Sequence, residues 1–347
     1  MKMQNATALF HNADPIGLLE AVGADLAAQD VAFERTTGPT LCYDTGIGAM
    51  RLGCDASALR IEIESDTAGN LHMLREGLCA RLDRLLGAPV ELMWSGLAPR
   101  ASGLPPSMRI ARVLGRSLVG KNFLRLRLAA ERLEDFARSG LHIRLLIPPP
   151  GRAPTWPRVG ANGRTIWPDG DDALHIPAYT IRAVDPAAGW LDVDIFLHGN
   201  GATCRWAQEV APGEKVGISG PGGGWLPPGD RWVLAGDETA LPAMARMLEL
   251  APVGITGQAL IEVADAQSEI ALASPPGFTI RWLHRATAAQ DLVTAFRSLP
   301  LPAGEGAYVW FAAEKSQAAA VRQYLRSRPD IGKSQRHVAG YWCESIY

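Results

Sequence analysis

The chain has 347 residues, 47% of them apolar, and carries 34 Lys and Arg against 36 Asp and Glu, a net charge of -2. This length calls for two or three domains with cores of their own, and the near-neutral charge excludes the strongly basic footprint of a nucleic-acid-binding protein. No apolar run approaches the roughly 20 residues that span a bilayer, and the opening MKMQNATALFHNADP lacks the cationic and apolar regions of a signal peptide, so a cytoplasmic protein is expected.

Residues 1–96 read as a small α+β domain. TALF (7–10) is strand-like, and Asp14-Pro15 opens a helix through about Ala28. VAFER, TLCYD and AMRLG are short strands, and ALRIEIES (58–65) alternates apolar and polar as a half-buried strand does. Leucines recur at helical spacing from Asn70 to Leu86, and VELMW (90–94) reads as a closing strand. Residues 97–107, rich in Pro, Gly and Ser, form a linker.

From 108 to 228 short strands follow at close intervals: MRIARVLG, FLRLRLA, LHIRLLIP, AYTIRAVD, WLDVDIFLH and KVGISGPG. Such spacing predicts a small antiparallel β-barrel or sandwich, with KVGISGPG as the strand that leaves it. The insert at 148–170 is too rich in Pro and Gly to predict regular structure. From 229 to 347 the rhythm changes to strands alternating with helices: WVLAG, QALIEVAD, FTIRWLH and AYVWFAAE, with a last helix over about 316–328. That alternation predicts an α/β domain with a parallel sheet.

Three stretches carry groups suited to chemistry. AYTIR offers Tyr179, Thr180 and Arg182 on a strand that ends at a barrel mouth. Such groups can stack beside a flavin, bond its polar edge and face a phosphate, although an ordinary half-buried strand is the simpler reading of the pattern alone. FLHGNGATCRWAQE ends a strand at His198 and turns through Gly199, Asn200 and Gly201 into a helix that starts near Ala202 and Thr203. Backbone N–H groups there favour a pyrophosphate, with His198, Thr203 and Arg205 as further donors; a plain glycine turn fits equally. LAGDETALP places Gly236, Asp237, Glu238, Thr239 and Ala240 between strand and helix. Thr239 could supply the N-terminal hydroxyl, with both carboxylates where the helix dipole favours them. The five cysteines form no C-x-x-C pair, which argues against a zinc site or a cysteine-held iron–sulfur cluster.

LAGDETALPAMARMLE resembles the nucleotide-domain signature of the siderophore-interacting proteins, a branch of the ferredoxin–NADP reductase-like flavoproteins. The likeness extends in order through RVLGRSLVGKNFLRLRL, TWPR, WPDG, AYTIR, LDVDIFLHG, RWA, GISGPGGG, EVAD, WLHR and the terminal GYW, from about Met108 to Tyr347. The first 96 residues resemble a small domain of unknown function that precedes this enzyme in some members.

The resemblance implies an FAD-dependent enzyme that passes electrons from NADH or NADPH to Fe(III) in a siderophore or other ferric chelate, with no metal of its own. The alternatives are a flavin carrier fed by ferredoxin and a non-enzymatic ferric-siderophore-binding protein. By position, Tyr179, Thr180 and Arg182 would contact the flavin, and His198 to Thr203 with Trp206 would hold the FAD phosphates and adenine side. Gly236 to Ala240 would line the flavin–nicotinamide face, with Tyr341 and Trp342 brought towards it. Lys121, Arg144, Arg285 and Lys315 are candidate docking charges for the chelate, and Asp265 a candidate ribose acid. Pro177 stands where the family pattern has an arginine, and Cys343 where a basic residue is common.

Overall fold

The computed structural model describes residues 3–29, 31–36, 38–96, 103–199 and 201–344. The chain divides into two compact units: residues 1–112, 130–178 and 215–225 form the first, and residues 113–129, 179–214 and 226–347 the second.

The first unit opens with β1 (Gln4–His11), α1 (Pro15–Ala28), β2 (Glu34–Thr36), β3 (Thr40–Asp44), β4 (Ala49–Cys54), β5 (Ala58–Ser65), α2 (Ala68–Leu86) and β6 (Trp94–Ser95). Its six strands pair antiparallel in the order β2-β3-β4-β5-β1-β6. Alternation along β5 turns Leu59, Ile61 and Ile63 inward, where they meet Leu18, Leu19 and Val22 of α1 and Leu71, Leu74 and Leu78 of α2. Each such side chain removed from water contributes about 1.5–3 kcal/mol. Asp14 caps α1 through the Gly17 amide, Thr67 caps α2 through the Asn70 amide, and Gly87 closes α2. Of the predicted closing strand VELMW, only Trp94 pairs.

The barrel strands are β7 (Met108–Val119), β8 (Phe123–Ala129), β9 (His142–Leu146), β12 (Ala178–Thr180), β13 (Ala183–Asp185), β14 (Trp190–Phe196) and β15 (Lys215–Gly222), with α3 (Glu134–Arg138) and α4 (Ala202–Glu209) between them. The seven-stranded order is β12-β9-β15-β7-β8-β14-β13. β12 and β13 therefore stand at opposite ends of the sheet although only Ile181 and Arg182 separate them. Three Cα steps reach at most about 11 Å, whereas six inter-strand spacings of about 4.8 Å would hold the ends of a flat sheet about 29 Å apart. The sheet must curl until its ends meet, which is the expected barrel.

Two expectations change here. AYTIRAVD is two strands rather than one; KVGISGPG, the last barrel strand in the chain, lies in the middle of the sheet, between β9 and β7. The insert also holds a short hairpin, β10 (Arg158–Val159) with β11 (Thr165–Ile166), where irregular structure was expected. Proline content hid a ladder only two residues long on each side.

The rest of the second unit is β16 (Arg231–Gly236), α5 (Leu241–Glu249), β17 (Thr256–Val263), β18 (Gly277–His284), α6 (Leu292–Arg297), β19 (Ala307–Glu314), α7 (Lys315–Arg326) and β20 (Arg336–Trp342). The five strands are parallel in the order β18-β17-β16-β19-β20. The chain builds outward from β16 on one side and then returns to its other side, so the order reverses between β16 and β19. In such sheets the crevice beyond the carboxyl ends of the strands at the reversal is where ligands bind. Among the described residues no helix is long and apolar enough to cross a membrane.

Candidate functional site

At that reversal lies a cavity of about 440 Å³, contained within the second unit. Asp237, Glu238 and Thr239 enter it from the end of β16, Glu262 from β17 and Arg285 from just beyond β18. Glu314, Ser316 and Gln317 come from the β19–α7 junction, Trp342 from β20, and Phe196 and His198 from the end of β14.

Gly236 is required where β16 turns. A Cβ there would meet the Ala312 carbonyl at 2.4 Å and the Ala240 Cβ at 2.5 Å. Asp237, 3% exposed, organises the turn that follows. Its Oδ1 accepts from the Thr239 amide at 2.9 Å and the Thr239 hydroxyl at 2.6 Å, and its Oδ2 accepts from the Trp342 indole at 2.6 Å. Asp237 thus holds the turn with Thr239 as its donor, and α5 begins at the N-cap Ala240 with no side-chain cap, where the sequence suggests the Thr239 hydroxyl. Burial pushes the Asp237 carboxyl above its ordinary range, against the pull of those donors.

Glu238 and Glu262, 3% and 5% exposed, share one guanidinium. Arg285 Nη1 donates to Glu238 at 2.9 Å and to Glu262 at 3.0 Å, and Nη2 donates to Glu238 as well. Burial raises the Glu262 carboxyl while Arg285 pulls it back. Arg285, a candidate docking charge, is therefore already matched by two buried carboxylates. Glu314 caps α7, accepting from the amides of Ser316 and Gln317.

The barrel contributes a second set. β12 ends with Thr180 buried, and Tyr179 hydrogen-bonds Thr203 of α4. Burial pushes the Tyr179 phenol up to about 12, so it stays protonated at neutral pH. The His198 ring stacks on Phe196 at 5.7 Å. Gly199 takes a φ of 64° facing open space, and α4 starts after Gly201 with no side-chain cap. A helix start without a side-chain cap suits a phosphate, and in that respect the turn fits the pyrophosphate of FAD. Asn200 lies outside the described residues; Ala202 opens α4, and Trp206 is half-buried on it.

Other predicted contacts are committed elsewhere. Arg182 pairs with Glu249 at 2.6 Å and lies 4.0 Å from Asp194, so its charge is not held ready for a phosphate. Lys121 and Asp265, assigned to substrate and ribose, pair with each other at 3.3 Å. Arg144 is an exposed residue of β9 in the first unit. Lys315 is exposed at the start of α7, beside Glu314 and Ser316 of the cavity wall. Tyr341 packs edge-on against Trp310 at 6.0 Å. Pro177 adjoins the edge strand β12, where a missing amide costs no ladder bond, and its carbonyl accepts from the Leu145 amide.

Glu262, Glu314, Ser316, Gln317 and Phe196 were not anticipated as site residues. The usable signal was their position: each lies at or near the carboxyl end of a strand.

An antiparallel barrel joined to a five-stranded parallel sheet is the ferredoxin-reductase architecture. At the level of fold, the chain superposes on the ferredoxin reductase of carbazole 1,9a-dioxygenase with a TM-score of 0.51 and 11% identity, over 71% of each chain. Residues 112–225 match the family described as the siderophore-interacting FAD-binding domain, and residues 229–345 the one described as siderophore-interacting protein. The chain is 30% identical over 245 residues to the ferric vibriobactin reductase ViuB of Vibrio cholerae, covering 67% of this chain and 89% of that protein. It is also 30% identical to a siderophore utilization protein from T. fusca, with a TM-score of 0.57 over 72% of this chain and 98% of the other. The chain belongs to the siderophore-interacting protein family, and the barrel is its FAD-binding domain.

Proposed function

We propose that this protein is an FAD-dependent reductase that takes electrons from NADH or NADPH and delivers them to Fe(III) held by a siderophore or a similar chelate, releasing Fe(II). The observation that carries the reading is the cavity at the sheet reversal, walled by the ends of β16, β17 and β19 and by the barrel residues Phe196 and His198. The ferric vibriobactin reductase of Vibrio cholerae, as a relative, supports the substrate class. FAD supplies, when bound, acceptance of a hydride and release of its electrons one at a time.

The chain's own residues position and exclude. Tyr179 and Thr180 would contact the flavin, and the start of α4 after Gly201 would hold the phosphates, with Trp206 towards the adenine. Gly236 to Ala240 shape the nicotinamide approach, with Asp237 holding Trp342 at one wall and Tyr341 beside it. Arg285 offsets one of the two charges of Glu238 and Glu262, which lessens the repulsion of an anionic nucleotide by that wall. Lys315, exposed between Glu314 and Ser316 of the cavity wall, is the charge we assign to meet an anionic ferric chelate.

The test is spectroscopic. The purified chain should be yellow or become so with added FAD, bleach on anaerobic mixing with NADH or NADPH, and then yield trapped Fe(II) from ferric chelates. A colourless chain that FAD does not reconstitute overturns the proposal. Bleaching by neither nucleotide transfers the electron supply to a protein donor such as ferredoxin.

A further inference from the structure

A second cavity, of about 390 Å³, lies within the first unit between α2 and the β10–β11 hairpin. The hairpin is clasped to α2 by Arg164, which bonds Asp83 at 2.5 and 3.2 Å, by the Thr165 amide on Glu76 at 3.2 Å, and by the Thr165 hydroxyl with His72 Nε2 at 2.9 Å. Each polar group of that clasp has its partner.

Arg75, one turn along α2, does not. It lines the cavity, is 5% exposed, and forms no ion pair among the described residues. Among the described residues its hydrogen bond runs from Nη2 to the Gly163 carbonyl at 3.2 Å, and its Nε has no partner there. The guanidinium lies 4.9 Å from the centroid of the Trp94 ring, and the Trp94 indole N–H, also buried, is unpartnered as well. Elsewhere in this unit the half-buried guanidinium of Arg81 has the Asp25 carboxylate at 2.8 Å. A buried cation without a counter-charge is costly and persists where something offsets it.

The lining fixes the missing partner's chemistry. The two unsatisfied groups are both donors, so the ligand must present acceptors. The neighbouring imidazole adds no charge, because burial and the Arg75 cation pull His72 down to about 4. Glu76, a carboxylate that acts on Arg75 without pairing to it, is turned to the Thr165 amide and lowers the local positive charge further. One guanidinium balances one negative charge, and a phosphate dianion would remain partly uncompensated. Leu71, Met93, Pro106 and Val159 supply an apolar wall, and Met93 is 79% exposed, on the side open to solvent.

We infer that this cavity binds a small organic monoanion, a carboxylate on an aromatic or aliphatic body, with Arg75 as its counter-charge. The site uses none of the flavin-cavity residues and does not depend on the reductase reading. It gives the N-terminal domain a ligand of its own.

Fluorine NMR of 4-fluorobenzoate added to the full-length chain as purified is the test, with 4-fluorobenzamide as the neutral match. The acid should broaden saturably, be displaced by excess benzoate but not by inorganic phosphate, and leave any flavin spectrum unchanged. The amide should bind at least about tenfold more weakly, the scale of one charged hydrogen bond. Arg75→Met should reduce the acid to the amide's level, and Arg75→Lys should fall between. Acid and amide are compared on the unaltered chain, so the result survives a poorly folded variant. Absence of saturable broadening, equal binding of acid and amide, undiminished binding in Arg75→Met, a shifted flavin spectrum or displacement by phosphate would each overturn the assignment.

Discussion

Asp237 serves two elements at once, since one oxygen secures the turn before α5 and the other holds the indole of Trp342 on β20. Asp237→Ala should cost about 2–3 kcal/mol, from the buried hydrogen bonds lost to Thr239 and Trp342. Trp342→Phe should cost about 1 kcal/mol, and the double variant should be less damaging than the sum, as urea denaturation of the four proteins would show. Arg285→Ala strands Glu238 and Glu262 and should cost about 2–4 kcal/mol near neutral pH, below the full figure for a buried pair because Arg285 is partly solvated. The pH dependence has a definite sign. Glu262 has its folded-state pKa raised above 4.5 by burial. Its share of stability is whole below that value and is lost as pH rises through the folded pKa. Without Arg285 the rise is larger, so the gap in melting temperature between wild type and Arg285→Ala should widen between about pH 5 and pH 8.

At the level of elements, α4 is the informative case. Its start lacks a side-chain cap, and Gly201 sits there at φ -57°, ψ 152°, a conformation open to any residue. Gly201→Asp should stabilise the chain without FAD by about 0.5–1 kcal/mol through capping and the helix dipole. The same carboxylate should weaken FAD binding at least about tenfold by meeting the phosphates, as titration of the chain stripped of flavin would measure. An unchanged FAD affinity would remove the phosphates from this turn. This turn was legible in the sequence because HGNGAT announces it by composition. The parallel strands were legible as well, from the change of rhythm after residue 229. Glu238 and Glu262 were not, because they are 24 residues apart and only pairing of β16 with β17 brings their strand ends together. Lys121 and Asp265 misled for the same reason: each read as a free charge until the fold placed them side by side.

At the scale of the whole chain, the first 96 residues are not a detachable appendage. They belong to the same compact unit as residues 130–178, and Asp83 and Glu76 of α2 hold the β10–β11 hairpin. A chain beginning at residue 103 should therefore melt at a lower temperature and be cut faster within 148–170 by a nonspecific protease. Retention of the full-length cleavage rate would show that the hairpin stands without α2. The family matches begin only at residue 112, so this dependence belongs to the chain's own architecture rather than to the shared reductase.

The barrel's seam has a consequence for solubility. β12 and β13, the two ends of the strand order, are three residues each, and Pro177 stands just before the first. Each of these end strands offers a passing strand only a short ladder to pair with, and Pro177 leaves the start of the first without an amide. Long edges invite neighbouring molecules to add strands; this barrel ends on edges that offer them little to pair with.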